Sequence, residues 1–515
     1  MAQPRRGLSF LLSAALTRRR RRRSPDAVER RASSRIEADV DSLFGRLARA
    51  GDPGETHSAV HPLDDPHEAF AARVLTARAA QRSLDVQVYL WHDDSTGRLL
   101  LEEARQAAAR GVRVRLLIDD NGGPALDPVL AMLDALPALE VRLFNPTVSR
   151  GWRRWLSWFI EFSRLHRRMH NKAWVVDGRL AIVGGRNIGN AYFAATPQMS
   201  FADLDLMAVG RVAREVGESF DRYWNSEHAW PAAALLRQVA AASPGAFAAA
   251  IAADRDDPIA RPCIVAAERS MLLRDLAAGD LEWDRCPVRL FVDEPAKVVV
   301  PAPAAGRGLL DPLLEAFGNP ARSLDLVSPY FVPGTEGLRM LAALAGRGVR
   351  VRVLTNSLAA TDVPAVHGGY ARWRIALLRA GVELYELRPD ARHRHRRRPT
   401  LRLRDRMRSS ASLHAKTFAI DGQRIFVGSF NLDPRSAALN TEMGLVVDSV
   451  GLAGRLGRAL DDIHPHVAWR VALDPDGAPR WHGEGQWSSR REPRAGLGRR
   501  IVARGMEWLR IDWLL

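Results

Sequence analysis

The chain repeats itself at an offset of about 240 residues, and a repeat of that length restricts it to two similar halves facing each other. Arg82-Ser-Leu-Asp85 opens a β-rich run, Val86-Gln-Val-Tyr-Leu90, followed by a helical stretch and Ala109-Arg-Gly-Val-Arg-Val-Arg-Leu-Leu117. The order returns as Arg322-Ser-Leu-Asp325, Leu326-Val-Ser-Pro-Tyr330, a helical stretch, and Gly346-Arg-Gly-Val-Arg-Val-Arg-Val-Leu354. Alternating β and α elements predict an α/β fold, with helices covering the sheet faces. The expected architecture is two pseudo-twofold-related α/β sandwich domains with a site at their interface.

The repeat ends, in each half, on the same eighteen-residue frame. The first is His170-Asn-Lys172, then Asp177, then Gly184-Gly185-Arg-Asn187; the second is His414-Ala-Lys416, then Asp421, then Gly428-Ser429-Phe-Asn431. The chain has only three lysines against 72 arginines, and two of the three sit in these frames. With 14 histidines in 515 residues, about 0.08 His-x-Lys triplets are expected by chance, before the Asp is required. Lys is a compact point charge that fits beside one phosphoryl oxygen, where Arg is a wide planar fork. Within each frame, Ala173-Trp-Val-Val176 and Thr417-Phe-Ala-Ile420 read as buried strands, and Asp177-Gly178 and Asp421-Gly422 as hairpin turns. Side chains alternate along a strand, so His and Lys at i and i+2 project from one face.

Two histidines brought together by a pseudo-twofold suit a two-step phosphodiester exchange. One imidazole attacks phosphorus and forms a phosphohistidine; the other protonates the leaving oxygen and then deprotonates the incoming hydroxyl. His170 is favoured as the nucleophile, with His414 the alternative. Lys172 and Lys416 would neutralise the non-bridging oxygens, with Asn187, Asn431 and the Ser429 hydroxyl as substrate-binding donors. Each imidazole needs an acceptor on its other nitrogen. The candidates are Asp205 and Glu442, each about 30 residues past its histidine, with Asp203 a close rival to Asp205. Carboxylates and imidazoles do not cluster at metal-cage spacings, so neither metal nor cofactor is expected.

The net charge of +16 calls for an anionic partner, a membrane surface or nucleic acid. Cys263 and Cys286 are the only cysteines, so no disulfide framework is expected and a reducing compartment is. No run of about 20 apolar residues occurs, and the nine-residue stretch Leu8 to Leu16 is followed by six arginines, unlike a secretory signal. The organisation expected is a basic tail (1–35), a first domain (36–228), an Ala-rich helical connector (229–284), a second domain (285–472) and a basic, Trp-containing, membrane-associating segment (473–515). Residues 388–409 read as a basic loop, with His393 and His395 solvated. Gly151-Trp-Arg-Arg-Trp-Leu-Ser-Trp-Phe-Ile160 spaces three tryptophans at every third residue among arginines, as an interfacial helix does. These tryptophan-rich stretches argue for a membrane surface and against nucleic acid.

The duplicated frames resemble the HKD signature of the phospholipase D superfamily, over roughly Asp64 to Val471. Arg167-Arg-Met-His-Asn-Lys172, Gly-Gly-Arg-Asn-Ile-Gly189, Val327-Ser-Pro-Tyr-Phe331 and Ser429-Phe-Asn-Leu-Asp-Pro-Arg435 are similar to bacterial cardiolipin synthases. Phe201-Ala-Asp-Leu-Asp205 and Asn440-Thr-Glu-Met-Gly444 resemble the branch that lacks an N-terminal transmembrane pair. The resemblance implies two phospholipase D-like domains and a catalytic set of His170, Lys172, Asp177, His414, Lys416 and Asp421. The turn positions of the two aspartates suggest that they fix the hairpins. It also implies phosphatidyl transfer to phosphatidylglycerol, from phosphatidylethanolamine or a second phosphatidylglycerol, peripherally on the cytoplasmic face of the bacterial inner membrane. The alternative is a phospholipase D-type hydrolase with water as acceptor; a nucleic-acid phosphodiesterase ranks below both.

Overall fold

The computed structural model of the chain describes residues 30–52, 57–122, 124–147, 150, 161–196, 199–300, 308–391, 410–463 and 465–509. The tail at 1–29, the tryptophan-rich segment 151–160, most of the basic loop (392–409) and the last six residues lie outside the described residues, with the expectations attached to them.

In the first half the strands are β1 (Ser58–Leu63), β2 (Ser83–Val88), β3 (Arg113–Asp119), β4 (Leu139–Phe144), β5 (Ala173–Val176), β6 (Leu180–Gly184), β7 (Met199–Ala202), β8 (Asp205–Gly210), β9 (Ala229–Pro231) and β10 (Asp284–Cys286). All but β7 form one nine-stranded sheet in the order β10-β1-β8-β6-β5-β2-β3-β4-β9. In the second half they are β11 (Val288–Val292), β12 (Ser323–Val327), β13 (Arg350–Asn356), β14 (Glu383–Leu387), β15 (Ser410–Leu413), β16 (Lys416–Ile420), β17 (Arg424–Gly428), β18 (Met443–Val447), β19 (Ala468–Leu473), β20 (Pro479–His482) and β21 (Ser488–Ser489). All but β15 form a ten-stranded sheet, β11-β18-β17-β16-β12-β13-β14-β19-β20-β21. The middles of the two sheets match: β6-β5-β2-β3-β4 repeats as β17-β16-β12-β13-β14, so the sequence repeat is a structural repeat.

The repeated Asp and Arg of the two halves explain why the central strands pair in this register. Asp85 on β2 lies opposite Arg115 on parallel β3, and Asp325 on β12 lies opposite Arg352 on β13. Both pairs are buried and bidentate, at 2.7 Å twice in the first half and at 2.6 and 2.9 Å in the second. A guanidinium forks onto a carboxylate where an ammonium would leave one oxygen unpaired, so Arg is the residue these strands require.

Strand alternation divides the interior into layers. Trp174 and Val176 of β5, like Phe418 and Ile420 of β16, face outward under the helices of their own half. Val175 and Ala173, like Ala419, face inward and meet in a shared apolar layer that joins the halves. Helices Arg211–Trp224 and Val450–Asp461 contribute Val212, Val216 and Leu452 to that layer. The connector helices Pro244–Asp256 and Arg261–Arg269 pack against Ser95–Ala109 and Pro66–Ala79, forming a second helical layer over the first half.

The C-terminal region continues the second half. β20 and β21 extend its sheet, and helix Leu497–Leu509 packs along Pro364–Arg379 so closely that a Cβ on Gly368 would meet the Ala503 carbonyl at 2.4 Å. Its other side exposes Leu497, Ile501 and Val502. Among the described residues no helix is long and apolar enough to cross a membrane. Both cysteines are free and buried.

The halves also exchange backbone pairing at the site. β7 of the first half runs parallel to β15 of the second, Ala202 opposite Leu413, as a separate two-stranded sheet. A matching parallel bridge joins Met169 to Thr441.

Candidate active site

Each of these cross-half pairings stops one residue short of a histidine. After Leu413 and Ala202 come His414 and Asp203; after Met169 and Thr441 come His170 and Glu442. Backbone bonds hold the registers: His414 and Ala415 both donate to the Ala202 carbonyl, at 2.8 and 2.9 Å, and His170 donates to the Thr441 carbonyl at 2.9 Å. The side chains then meet across the joint. His414 Nδ1 lies 2.6 Å from Asp203 Oδ2, and His170 Nδ1 lies 2.8 Å from Glu442 Oε2. All four residues are buried. Each carboxylate accepts the Nδ1 proton, which leaves Nε2 as the free lone pair of a neutral imidazole.

This arrangement corrects two expectations. The acids do serve as orienting partners, but each comes from the opposite half, not from its own. In the first half the acid is Asp203, and Asp205 is excluded. Asp205 begins β8, two residues on, and is wholly buried against Arg73 (2.8 Å) and Arg186 (3.3 Å). It anchors a core ion cluster.

The lysines lie where the spacing places them. Lys172 and Lys416 are buried, and each ammonium donates to the backbone carbonyl of its own histidine. Lys416 Nζ is also 3.0 Å from His414 Nδ1, and Lys172 Nζ lies 5.4 Å from the centre of the Tyr89 ring. Burial pushes both lysines down, Lys172 well below its ordinary value and Lys416 to about 8, against the pull of the nearby carboxylates. Burial and the two ammonium groups also hold both histidines below 6.5, with Arg435 adding to the effect at His170. Glu442 is raised by burial to about 7, opposed by Lys172. Burial works to raise Asp203 as well, but His414 and Lys416 bring it below the usual carboxylate range. The pocket therefore presents neutral imidazoles beside two buried ammonium groups whose charge burial disfavours, an environment that a phosphate diester would complete.

Other expected residues fall into place unevenly. Ser429 donates its hydroxyl to Glu442 Oε2, and its carbonyl faces His170 Nδ1 at 3.1 Å, so it fixes the acid and is not turned to a ligand. Asn187 accepts from the Leu90 amide and donates to the Tyr192 hydroxyl at 2.9 Å. Tyr192 in turn stands edge-on to His414, ring centres 5.1 Å apart. Asn431 is buried with its side-chain oxygen unpaired, and of the three it alone keeps an open group for a substrate.

Asp177 and Asp421 are not in the pocket. They occupy the turns at the far ends of β5 and β16, with φ of 54° and 53°, each followed by a glycine with positive φ, as the Asp-Gly dipeptides require. Each carboxylate accepts three successive backbone N–H groups at the start of its half's first repeat strand: Gln81, Arg82 and Ser83, or Ala321, Arg322 and Ser323. A place among the catalytic groups is corrected to a structural one.

Several neighbours stand in repeated or family-like stretches of the sequence that assigned them no role. Tyr89 stands edge-on to His170 at 5.0 Å, and Phe201 lies 5.1 Å from His414. Tyr330 donates to Asp362 at 2.8 Å. Tyr89 and Tyr330 follow the matching strands β2 and β12, so an aromatic after each repeat strand was the available signal. The third lysine, Lys297, supports the site from beneath: it pairs with Asp293 at 2.8 Å, and Asp293 accepts the Glu442 amide at 2.9 Å. Elsewhere, the ligand atoms of His367, Glu386 and Glu492 lie within 4.8 Å of one another. Arg374 sits among them, 3.0 Å from Glu386 and 2.9 Å from Glu492, and supplies the positive charge there.

Two buried imidazoles, each backed by a carboxylate and both within the field of the two ammonium groups, can pass a phosphoryl centre between an alcohol and an imidazole. Comparison with known proteins agrees with that chemistry. The family profile described as a cardiolipin synthase, phospholipase D-like domain matches twice, at residues 75–224 and 313–463. Cardiolipin synthase C of Escherichia coli (strain K12) is 43% identical over 473 residues, covering 90% of this chain and 97% of that one. An uncharacterized protein of Helicobacter pylori is 32% identical, covering 81% of each chain. Among solved structures, phosphatidylserine synthase from Haemophilus influenzae Rd KW20 superposes with a TM-score of 0.56 at 15% identity, covering 92% of this chain and 100% of that one, a likeness of fold. The duplicated profile, the relative matched end to end and the paired sheets agree: the chain belongs to the cardiolipin synthase family of phospholipase D-like enzymes.

Proposed function

We propose that this protein is a phosphatidyltransferase that makes cardiolipin through a covalent phosphohistidine, using phosphatidylglycerol as acceptor. The observation that carries the reading is the crossed pair: two buried histidines, each held by an acid of the opposite half, with Nε2 of both left free. In the first step one Nε2 attacks the donor's phosphorus, and the bond from phosphorus to the headgroup oxygen breaks. The negative charge of the bound phosphate diester favours protonation of the other imidazole on Nε2; that imidazolium gives the leaving oxygen its proton, so glycerol or ethanolamine leaves as the alcohol. In the second step the now-neutral imidazole takes the proton from the terminal hydroxyl of phosphatidylglycerol. That oxygen attacks phosphorus, the P–N bond breaks, and cardiolipin is released. Lys172 and Lys416 face the non-bridging oxygens, where charge builds up in both steps, and the unpaired Asn431 oxygen is an acceptor for a substrate hydroxyl.

Transfer to a lipid alcohol rather than to water requires a site that excludes water. The burial of both histidines and both lysines suits that requirement better than it suits a hydrolase. Membrane access has its own support. The exposed Leu497, Ile501 and Val502 lie on a helix whose Arg499 donates to the Thr361 carbonyl at 2.6 Å, next to Asp362 and Tyr330 at the mouth of the site. Apolar side chains among arginines suit an anionic leaflet. We place the enzyme peripherally on the cytoplasmic face of a bacterial inner membrane.

The test is incubation with labelled phosphatidylglycerol, with and without phosphatidylethanolamine, followed by lipid chromatography. Labelled cardiolipin is expected. Phosphatidic acid as sole product favours the hydrolase, and absence of any lipid product overturns both. Released glycerol or ethanolamine identifies the donor.

A further inference from the structure

The two halves differ on the outer face of the sheet, directly in line with the lysines. Along β16 the outward residues are Lys416, Phe418 and Ile420; along the first frame they are Lys172, Trp174 and Val176. In the first half that line is filled. Trp174 is buried and donates its indole N–H to Thr76 at 3.2 Å, on a 14-residue helix, Pro66–Ala79, that covers the strands. Connector helices then cover that helix.

In the second half the corresponding helix, Leu310–Phe317, has 8 residues, and Phe418 stands where Trp174 does. An open, predominantly apolar groove of about 380 Å³ remains between this helix and Gly334–Gly346. Its floor is Leu324, Leu326, Phe418 and Ile420. One end reaches Phe331 and Leu432, the residue after Asn431, and the other reaches Pro320. Its floor follows the five residues of β12, a span of roughly 15 Å at about 3.3 Å per residue.

We propose that this groove is the seat of one acyl chain of the phospholipid whose phosphate lies between the histidines. The proposal rests on the phosphatidyltransferase reading and assigns the chain's path. The groove starts at Phe430 and Leu432, the residues on either side of Asn431, runs along the same strand face as Lys416, and is lined mostly by hydrocarbon. A chain one carbon wide fits. The filled first-half counterpart makes the two sides of the pseudo-twofold unequal, which gives the substrate a direction.

Two variants close the groove: F418W copies the first-half residue from the floor, and A343W enters from the exposed rim. Each is assayed with dioleoyl phosphatidylglycerol and with monomeric dihexanoyl phosphatidylglycerol, whose chains are too short to need the groove. The expected result is a loss of about tenfold or more in kcat/KM for the long-chain lipid, the effect of displacing a few methylenes, with the short-chain value within about twofold of wild type. Phosphatidylglycerol carrying a photoreactive group at the end of an acyl chain is expected to label peptides within 310–344 of the wild-type protein.

If F418W loses both substrates alike it has disturbed the fold, and A343W decides. Equal rates on long-chain lipid for A343W and wild type, or labelling scattered outside 310–344, overturn the groove while leaving the transferase reading intact. A wild-type protein that makes no cardiolipin from either lipid overturns the transferase reading, and the labelling then judges the groove alone.

Discussion

Asp203 Oδ2 lies 2.6 Å from His414 Nδ1, across the joint between the halves and 211 residues away in sequence. Asp205, two residues on, points to Arg73 and Arg186 instead. The two aspartates should therefore fail differently. D203N is expected to lower kcat by about 10²–10⁴-fold with little change in melting temperature, because the imidazole loses its acceptor and its tautomer. D205N leaves two buried guanidinium groups short of a charge and is expected to cost about 3–5 kcal/mol of stability. Steady-state kinetics beside thermal melts separate them; a D205N protein of normal stability and low kcat would reverse the assignment.

The histidines are expected to be indispensable together. H170A and H414A should each abolish turnover, since both steps need the pair, and acid-free trapping with labelled lipid should place a single phosphohistidine at one of them. Measurable turnover in either variant would sink the two-histidine mechanism.

The pH profile follows from Glu442 and Lys416. Glu442, raised to about 7 by burial, holds the His170 Nδ1 proton only when ionised, so activity is expected to fall as the pH drops through that value. Lys416, brought down to about 8 by burial, loses its charge above it, so activity is expected to fall on the alkaline side. The kcat/KM profile should be bell-shaped with limbs near these values. E442Q should remove the acid limb along with most of the rate, and K416R should carry the alkaline limb upward.

Asp177 and Asp421 predict a loss of stability, not of chemistry. Removing either carboxylate leaves three backbone N–H groups without an acceptor, at a cost of about 1–3 kcal/mol. Burial works to raise Asp421, but its backbone donors and Arg322 hold it below the usual carboxylate range. Its contribution is thus full at neutral pH and fades as the pH falls through its folded value. D177A and D421A should melt earlier yet keep kcat per folded molecule. An unchanged melt with a lost rate would return them to the active site.

Activity should also survive EDTA. The charge facing the phosphate comes from two ammonium groups, and the one metal-like cluster among the described residues is filled by Arg374. Loss of turnover on chelation, restored by a divalent ion, would contradict this.

The repeat, the alternation of strands and helices, and both His/Lys frames were legible in the sequence, because strand alternation and an Asp-Gly turn act over a few residues. Family resemblance added the correct class of enzyme. The acids were legible only in part. Glu442 and the Asp203/Asp205 pair stood out, but sequence distance tied each to the nearer histidine. The partner is set by the β7–β15 register and the Met169–Thr441 bridge, contacts between segments more than 200 residues apart. Ser429 and Asn187 misled for a related reason. A hydroxyl or amide in a motif can face a substrate or a neighbouring side chain, and only packing decides.

The crossed pairing has a consequence for synthesis of the chain. A ribosome that has completed the first half has made His170 and Asp203, but neither has anything to hold. Glu442, which would arm His170, is translated more than 270 residues later. The enzyme cannot cut the lipids it is made beside until the second half has closed on the first. Any movement that parts the halves disarms both histidines at once.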